Sequence, residues 1–106
     1  MSKSIEVRLR VPKNSKAPIL DENGYPLDPA TFRWRRLLTV PTIPKSGEAI
    51  ELVAGEDKLP ATVVRADWNE ADGRFVVACQ YANRSIPVDQ QNALVADPEW
   101  TIVPLL

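Results

Sequence analysis

Ten prolines, at positions 12, 18, 26, 29, 41, 44, 60, 87, 98 and 104, punctuate this chain and argue against long helices. A proline inside a helix removes a backbone hydrogen bond, and its ring collides with the preceding turn. The segments between the prolines carry instead the period-two alternation of half-buried strands. It is clearest where Ile5, Val7, Leu9 and Val11 interleave with Glu6, Arg8 and Arg10. With 106 residues, 44% of them hydrophobic and 25% charged, the chain has the composition of one globular domain, residues 1–106, around a single core.

Further strands follow from the same pattern. Phe32, Trp34, Leu38 and Val40 share one parity, and only Arg36 interrupts that face. Asp28-Pro29 has the form of a helix start, but Thr31, Phe32, Trp34, Thr39 and Val40 favour a strand over residues 32–40. Ala49 to Val53 is a short strand ending in the turn Ala54-Gly55-Glu56-Asp57. Ala61 to Trp68 and Arg74 to Tyr81 are rich in β-branched and aromatic residues and flank the turn-forming run Asn69-Glu70-Ala71-Asp72-Gly73, so they read as a hairpin. Asp89 to Leu94 is a candidate short helix capped by Asp89, and Trp100 to Val103 a closing strand. Residues 12–30, rich in Asn, Ser, Lys, Asp, Gly and Pro, read as an irregular surface connection with a turn at Asn23-Gly24.

Six or so short strands with at most one helix point to an all-β fold, a small barrel or sandwich. An SH3-like barrel is the expected form, because an open sheet of this size leaves exposed edges. No residue motif of a particular family covers the chain.

The chemistry available to the chain is narrow. Histidine is absent, which removes the commonest general base and imidazole metal ligand. The four glycines, Gly24, Gly47, Gly55 and Gly73, stand far apart, so no glycine-rich loop gathers backbone amides around a phosphate. Cys79 is the single cysteine; it forms no internal disulfide and reads as a buried strand residue. The acidic turn from Asp67 departs from a calcium loop, with Ala71 at the fifth position, glycine at the seventh and Ala78 at the twelfth. Asp67 with Glu70, and Glu48 with Glu51, are the nearest carboxylate pairs for acid–base work, but nothing in the sequence builds a cleft around them. No metal, no cofactor and no enzymatic activity are expected.

Charge placement is the feature that singles out a candidate site. Through Lys45 there are nine Lys and Arg against four Asp and Glu; from Ser46 onward there are four against ten. Arg33-Trp34-Arg35-Arg36 lies in the basic half. Arginines beside an aromatic ring suit phosphate contact with base stacking. The same pattern also suits a strand whose alternate arginines face solvent, pair with acidic neighbours and leave Trp34 in the core. The second reading is favoured here, because nucleic-acid domains are usually basic overall and the sequence pI is near 5.4.

The expected function is therefore a non-enzymatic interaction module that binds a protein partner or itself, through a strand edge or an aromatic face. Single-stranded nucleic-acid binding through Arg33, Trp34, Arg35 and Arg36 is the alternative, and a carboxylate-based hydrolase a second one. Met1 to Arg10 lacks the apolar stretch of a secretory signal, and no run approaches the ~20 apolar residues of a membrane span. A cytoplasmic location away from membranes is expected.

Overall fold

A computed structural model describes residues 3–12, 20, 23–26, 28 and 31–104. Most of the 12–30 connection lies outside the described residues. Its turn at Asn23-Gly24 is present, flanked by an isolated bridge between Leu20 and Pro26.

The described chain forms six strands and one helix. In chain order these are β1 (Lys3–Arg10), β2 (Phe32–Val40), β3 (Ala49–Ala54), β4 (Asp57–Asn69), β5 (Arg74–Tyr81), α1 (Val88–Ala96) and β6 (Thr101–Pro104). The strands make one sheet in the order β3-β4-β5-β1-β2-β6. Two antiparallel triplets, β3-β4-β5 and β1-β2-β6, meet along a parallel seam between β1 and β5.

The fold is thus mostly β, as the proline spacing and alternation led us to expect. The sheet does not close into a barrel, however, and no second sheet among the described residues makes a sandwich. One mixed sheet carries a helix packed against β3 and β4. The parallel seam is what departs from a simple meander, since parallel neighbours need a long crossover between them.

Each strand inferred from alternation is present, and local hydrogen bonds mark several of the boundaries. Residues 32–40 form a strand paired antiparallel with β1 and β6, entered just after Thr31, whose amide and Oγ1 both donate to the Asp28 carbonyl at 2.9 and 2.7 Å. The hairpin β4–β5 turns through residues 70–73, where the Gly73 amide donates to Asn69 O at 2.9 Å and Asn69 Oδ1 accepts from the Ala71 amide at 3.0 Å. Gly73 carries a φ of 65°, which costs little without a Cβ. The helix spans Val88–Ala96, slightly longer than the expected Asp89–Leu94. Its cap is Pro87 with no side-chain hydrogen bond, and Asp89 sits in the first turn instead of capping. It stops at Asp97 because Pro98 disfavours helical geometry in the residue before it; Asp97 is extended.

The two faces of the sheet differ in kind. Ile5, Val7 and Leu9 of β1 lie in register with Phe75, Val77 and Cys79 of β5 on one face. With Phe32, Trp34, Leu52, Leu59, Val63, Tyr81, Ile86, Leu94 and Trp100 they form the core, covered in part by α1. Burying one such aliphatic side chain contributes about 1.5–3 kcal/mol. The opposite face carries Glu6, Arg8 and Arg10 against Val76, Ala78 and Gln80.

Candidate functional site

The outward face of the seam is a trough, and the sequence explains its shape. Val76 and Ala78 of β5 are short, while the residues on either side of them are long. On one side stand Arg8 and Arg10 from β1 with Arg33 from β2; on the other stand Arg65 and Asp67 from β4. Val64 and Gln80 complete a cavity of about 330 Å³. β4 reaches this position through a bulge between Val63 and Arg65. The extra residue there leaves Val63 in the core and brings Arg65 into register with Ala78 on the outer face.

Charge on this face is strongly one-sided. Arg8 and Arg35 are directly opposed on β1 and β2, a destabilising arrangement for like charges. Glu6 resolves it. Its side chain is only 2% exposed, and its two carboxylate oxygens accept from Arg8 Nε at 2.7 Å and Arg35 Nε at 2.9 Å. Burial pushes the Glu6 carboxyl up, but the two arginine hydrogen bonds and the arginine charges outweigh it and hold the pKa below the usual value. Both bonds use Nε, so the Nη donors of Arg8 and Arg35 take no part in them.

Arg65 Nε lies 3.1 Å from Asp67 Oδ2, with both side chains well exposed. Arg33 Nη1 donates to the Phe32 carbonyl at 2.8 Å. Burial, and after it the charge of Arg10, lowers the Arg33 pKa. Arg10 makes no ion pair with a carboxylate among the described residues. Around the trough, Arg8, Arg10, Arg33, Arg35 and Arg65 thus stand with Glu6 and Asp67, in a chain whose net charge is −1.

Strand alternation divides the four residues that the sequence offered as a binding surface. Arg33 and Arg35 face outward, with Arg33 lining the trough. Trp34 faces inward, 3% exposed, edge-on to Phe32 at 6.1 Å between ring centroids. Arg36 also faces inward, in register with Val7, and serves the fold. Its Nη1 donates to Val53 O at 2.6 Å and lies 3.8 Å from Asp97 Oδ2, with the guanidinium 5.9 Å from the Trp100 ring. The acidic partner of Arg35 is Glu6, from the same basic half of the chain, whereas Arg36 meets Asp97 from the acidic half.

Sequence reasoning did not place Arg8, Arg10 and Arg65 in the site. The alternation in β1 already put Arg8 and Arg10 on one face; missing was the register that brings β2 and β4 beside them. Two of the four carboxylates considered for acid–base work are ion-paired. Asp67 is paired with Arg65, and Glu51 lies 3.6 Å from Lys58 on the exposed β3–β4 hairpin. Cys79 is buried, and burial pushes its thiol up to about 11. No helix among the described residues is long and apolar enough to cross a membrane.

No protein-family model, curated protein or solved structure matches the chain.

Proposed function

We propose that this chain is a non-enzymatic interaction module that docks an acidic segment of a partner protein on the arginine face of its sheet. One observation carries the reading: five arginines from three strands gather at and beside one trough, in a chain that is acidic overall. Interfaces favour arginine for its planar, multi-donor group, and arginine clusters are a recurring means of holding acidic motifs. A second copy of the chain is one such partner, because Glu48, Glu51 and Glu56 present exposed carboxylates on and beside β3.

Single-stranded nucleic acid is the less favoured ligand. Sequence-tolerant strand binding uses aromatic platforms for the bases, and none of the residues lining the trough is aromatic. Trp34, the nearest candidate in sequence, is in the core.

The test is fluorescence anisotropy with a labelled Asp/Glu decapeptide and a mixed-sequence single-stranded oligonucleotide, each at two salt concentrations. The Arg10→Gln/Arg33→Gln variant is the control; Arg36 is left intact because it holds the fold. Salt-sensitive peptide binding that the variant loses supports the reading. Binding of the oligonucleotide alone would replace it with the nucleic-acid reading, and binding of neither would refute both.

A further inference from the structure

Guanidinium groups make up most of the charged lining of the trough. Arg8, Arg10, Arg33 and Arg65 line it, and Asp67 is the one carboxylate among the lining residues. Asp67 is held by Arg65 on the β4 side, and Glu6 holds only the Nε edges of Arg8 and Arg35. On the β1–β2 side, Arg8, Arg10 and Arg33 line the same cavity. An anion seated in that cavity is attracted by these guanidiniums together with Arg65, and a dianion more strongly than a monoanion.

Size narrows the ligand further. A cavity of about 330 Å³ stands at the lower end of the ~300–1,000 Å³ typical of ligand pockets. It holds one compact group, with the short, partly apolar floor of Val76 and Ala78 beneath it. A phosphoryl group carries a charge of about −1.5 to −2 and three strong acceptor oxygens, and it matches the paired donors of guanidinium groups.

We infer that the trough between β1, β2, β4 and β5 is a phosphoryl-binding site, so that the segment it takes carries a phosphorylated serine or threonine. This inference rests on the reading of the arginine face as the partner-docking surface. Arg10 and Arg33 bind the phosphoryl oxygens, Arg8 contributes its Nη donors, and Arg65 closes the far side. Val64, half exposed at the rim, meets the apolar part of the incoming side chain.

Three nonapeptides with identical Gly/Ala flanks and a central phosphoserine, glutamate or serine test it by anisotropy, beside the Asp/Glu decapeptide. The phosphoserine peptide is expected to bind at least about tenfold more tightly than the glutamate peptide, a difference of ~1.4 kcal/mol. Inorganic phosphate is expected to compete with it. Arg10→Gln and Arg65→Gln, made singly and checked for native circular dichroism, are each expected to weaken phosphoserine binding, while Lys58→Ala on the far hairpin leaves it unchanged.

Equal affinity for the phosphoserine and glutamate peptides overturns the phosphoryl inference and leaves the docking reading standing. Failure of all four peptides, the decapeptide included, overturns both. Inorganic phosphate that binds the trough with no phosphopeptide preference overturns the assignment to a partner side chain. A single-stranded oligonucleotide that displaces the phosphopeptide at lower concentration than phosphate overturns it in favour of nucleic acid.

Discussion

Arg36 Nη1 donates to the carbonyl oxygen of Val53 at 2.6 Å, although three strands stand between β2 and β3 in the sheet. The sheet must therefore curl until β3 approaches the inner face of β2. Trp100 Nε1 donates to the same carbonyl at 2.9 Å, so one acceptor on an edge strand takes two side-chain donors. Asp97 adds a third tie, accepting from the Gly55 amide at 2.8 Å through the oxygen that faces Arg36. Side chains draw the curled sheet together where a closed barrel would use a strand ladder.

The Arg36 tie is expected to act mainly through its hydrogen bond. Replacing Arg36 with Met keeps the aliphatic stem and removes the donor, at a cost of about 1–3 kcal/mol read by urea denaturation. An ion pair at 3.8 Å is weak beside a hydrogen bond at 2.6 Å. A double-mutant cycle with Asp97→Asn is therefore expected to give a coupling energy smaller than the loss in Arg36→Met.

Gly55 tests the β3–β4 turn that this tie depends on. Its φ is 58°, and a Cβ built there meets nothing within 4 Å. The cost of Gly55→Ala is then conformational rather than steric crowding by neighbours, about 1–2 kcal/mol. Gly55→Asn is expected to cost less, since asparagine tolerates the left-handed region better. Thermal melts of the two variants check the order.

Glu6 makes stability depend on pH in a stated direction. Its folded pKa lies below the ordinary value of 4.5. Its contribution is therefore fully present above that value and is lost as pH falls through the folded pKa. Glu6→Gln is expected to destabilise the chain by about 1.5–3 kcal/mol near neutral pH. Urea titrations of both proteins at pH 7, 4 and 3 should show that difference shrinking as the solution becomes acid.

Cys79 is expected to be inert in the folded state. A thiol pushed up to about 11 is almost wholly protonated at pH 8, and the thiolate is the reactive form. Labelling with a thiol reagent should be slow in native buffer and fast in denaturant. Fast native labelling would show that the β5 face opens.

Much of the secondary structure was legible in the residues. The alternation of Ile5, Val7 and Leu9 with Glu6, Arg8 and Arg10 set the two faces of β1, and the turn-forming run 69–73 set the β4–β5 hairpin. The parallel pairing of β1 with β5 was not legible, because alternation fixes which face a residue takes and says nothing of its neighbouring strand. The closed barrel was inferred from the number of short strands and from the exposed edges an open sheet of this size would leave, and neither specifies closure. Arg36 stood out as an interruption of an apolar face and as a member of the candidate arginine surface, but its structural role was not legible, since its partners lie at Val53, Asp97 and Trp100, far along the chain. The trough needed both register and side-chain length: Val76 and Ala78 are unremarkable strand residues until arginines of β1, β2 and β4 stand on either side of them.

The account turns on which surface meets a partner, and nuclear magnetic resonance reads that directly. A titration of isotopically labelled protein with the Asp/Glu decapeptide should shift the amides of Arg8, Arg10, Arg33, Arg65, Val76, Ala78 and Gln80, together with the arginine Nε signals. Shifts concentrated instead on the β3 or β6 edge, or on Trp68 and Phe75 near the hairpin tip, would contradict the assignment of the arginine face as the docking surface.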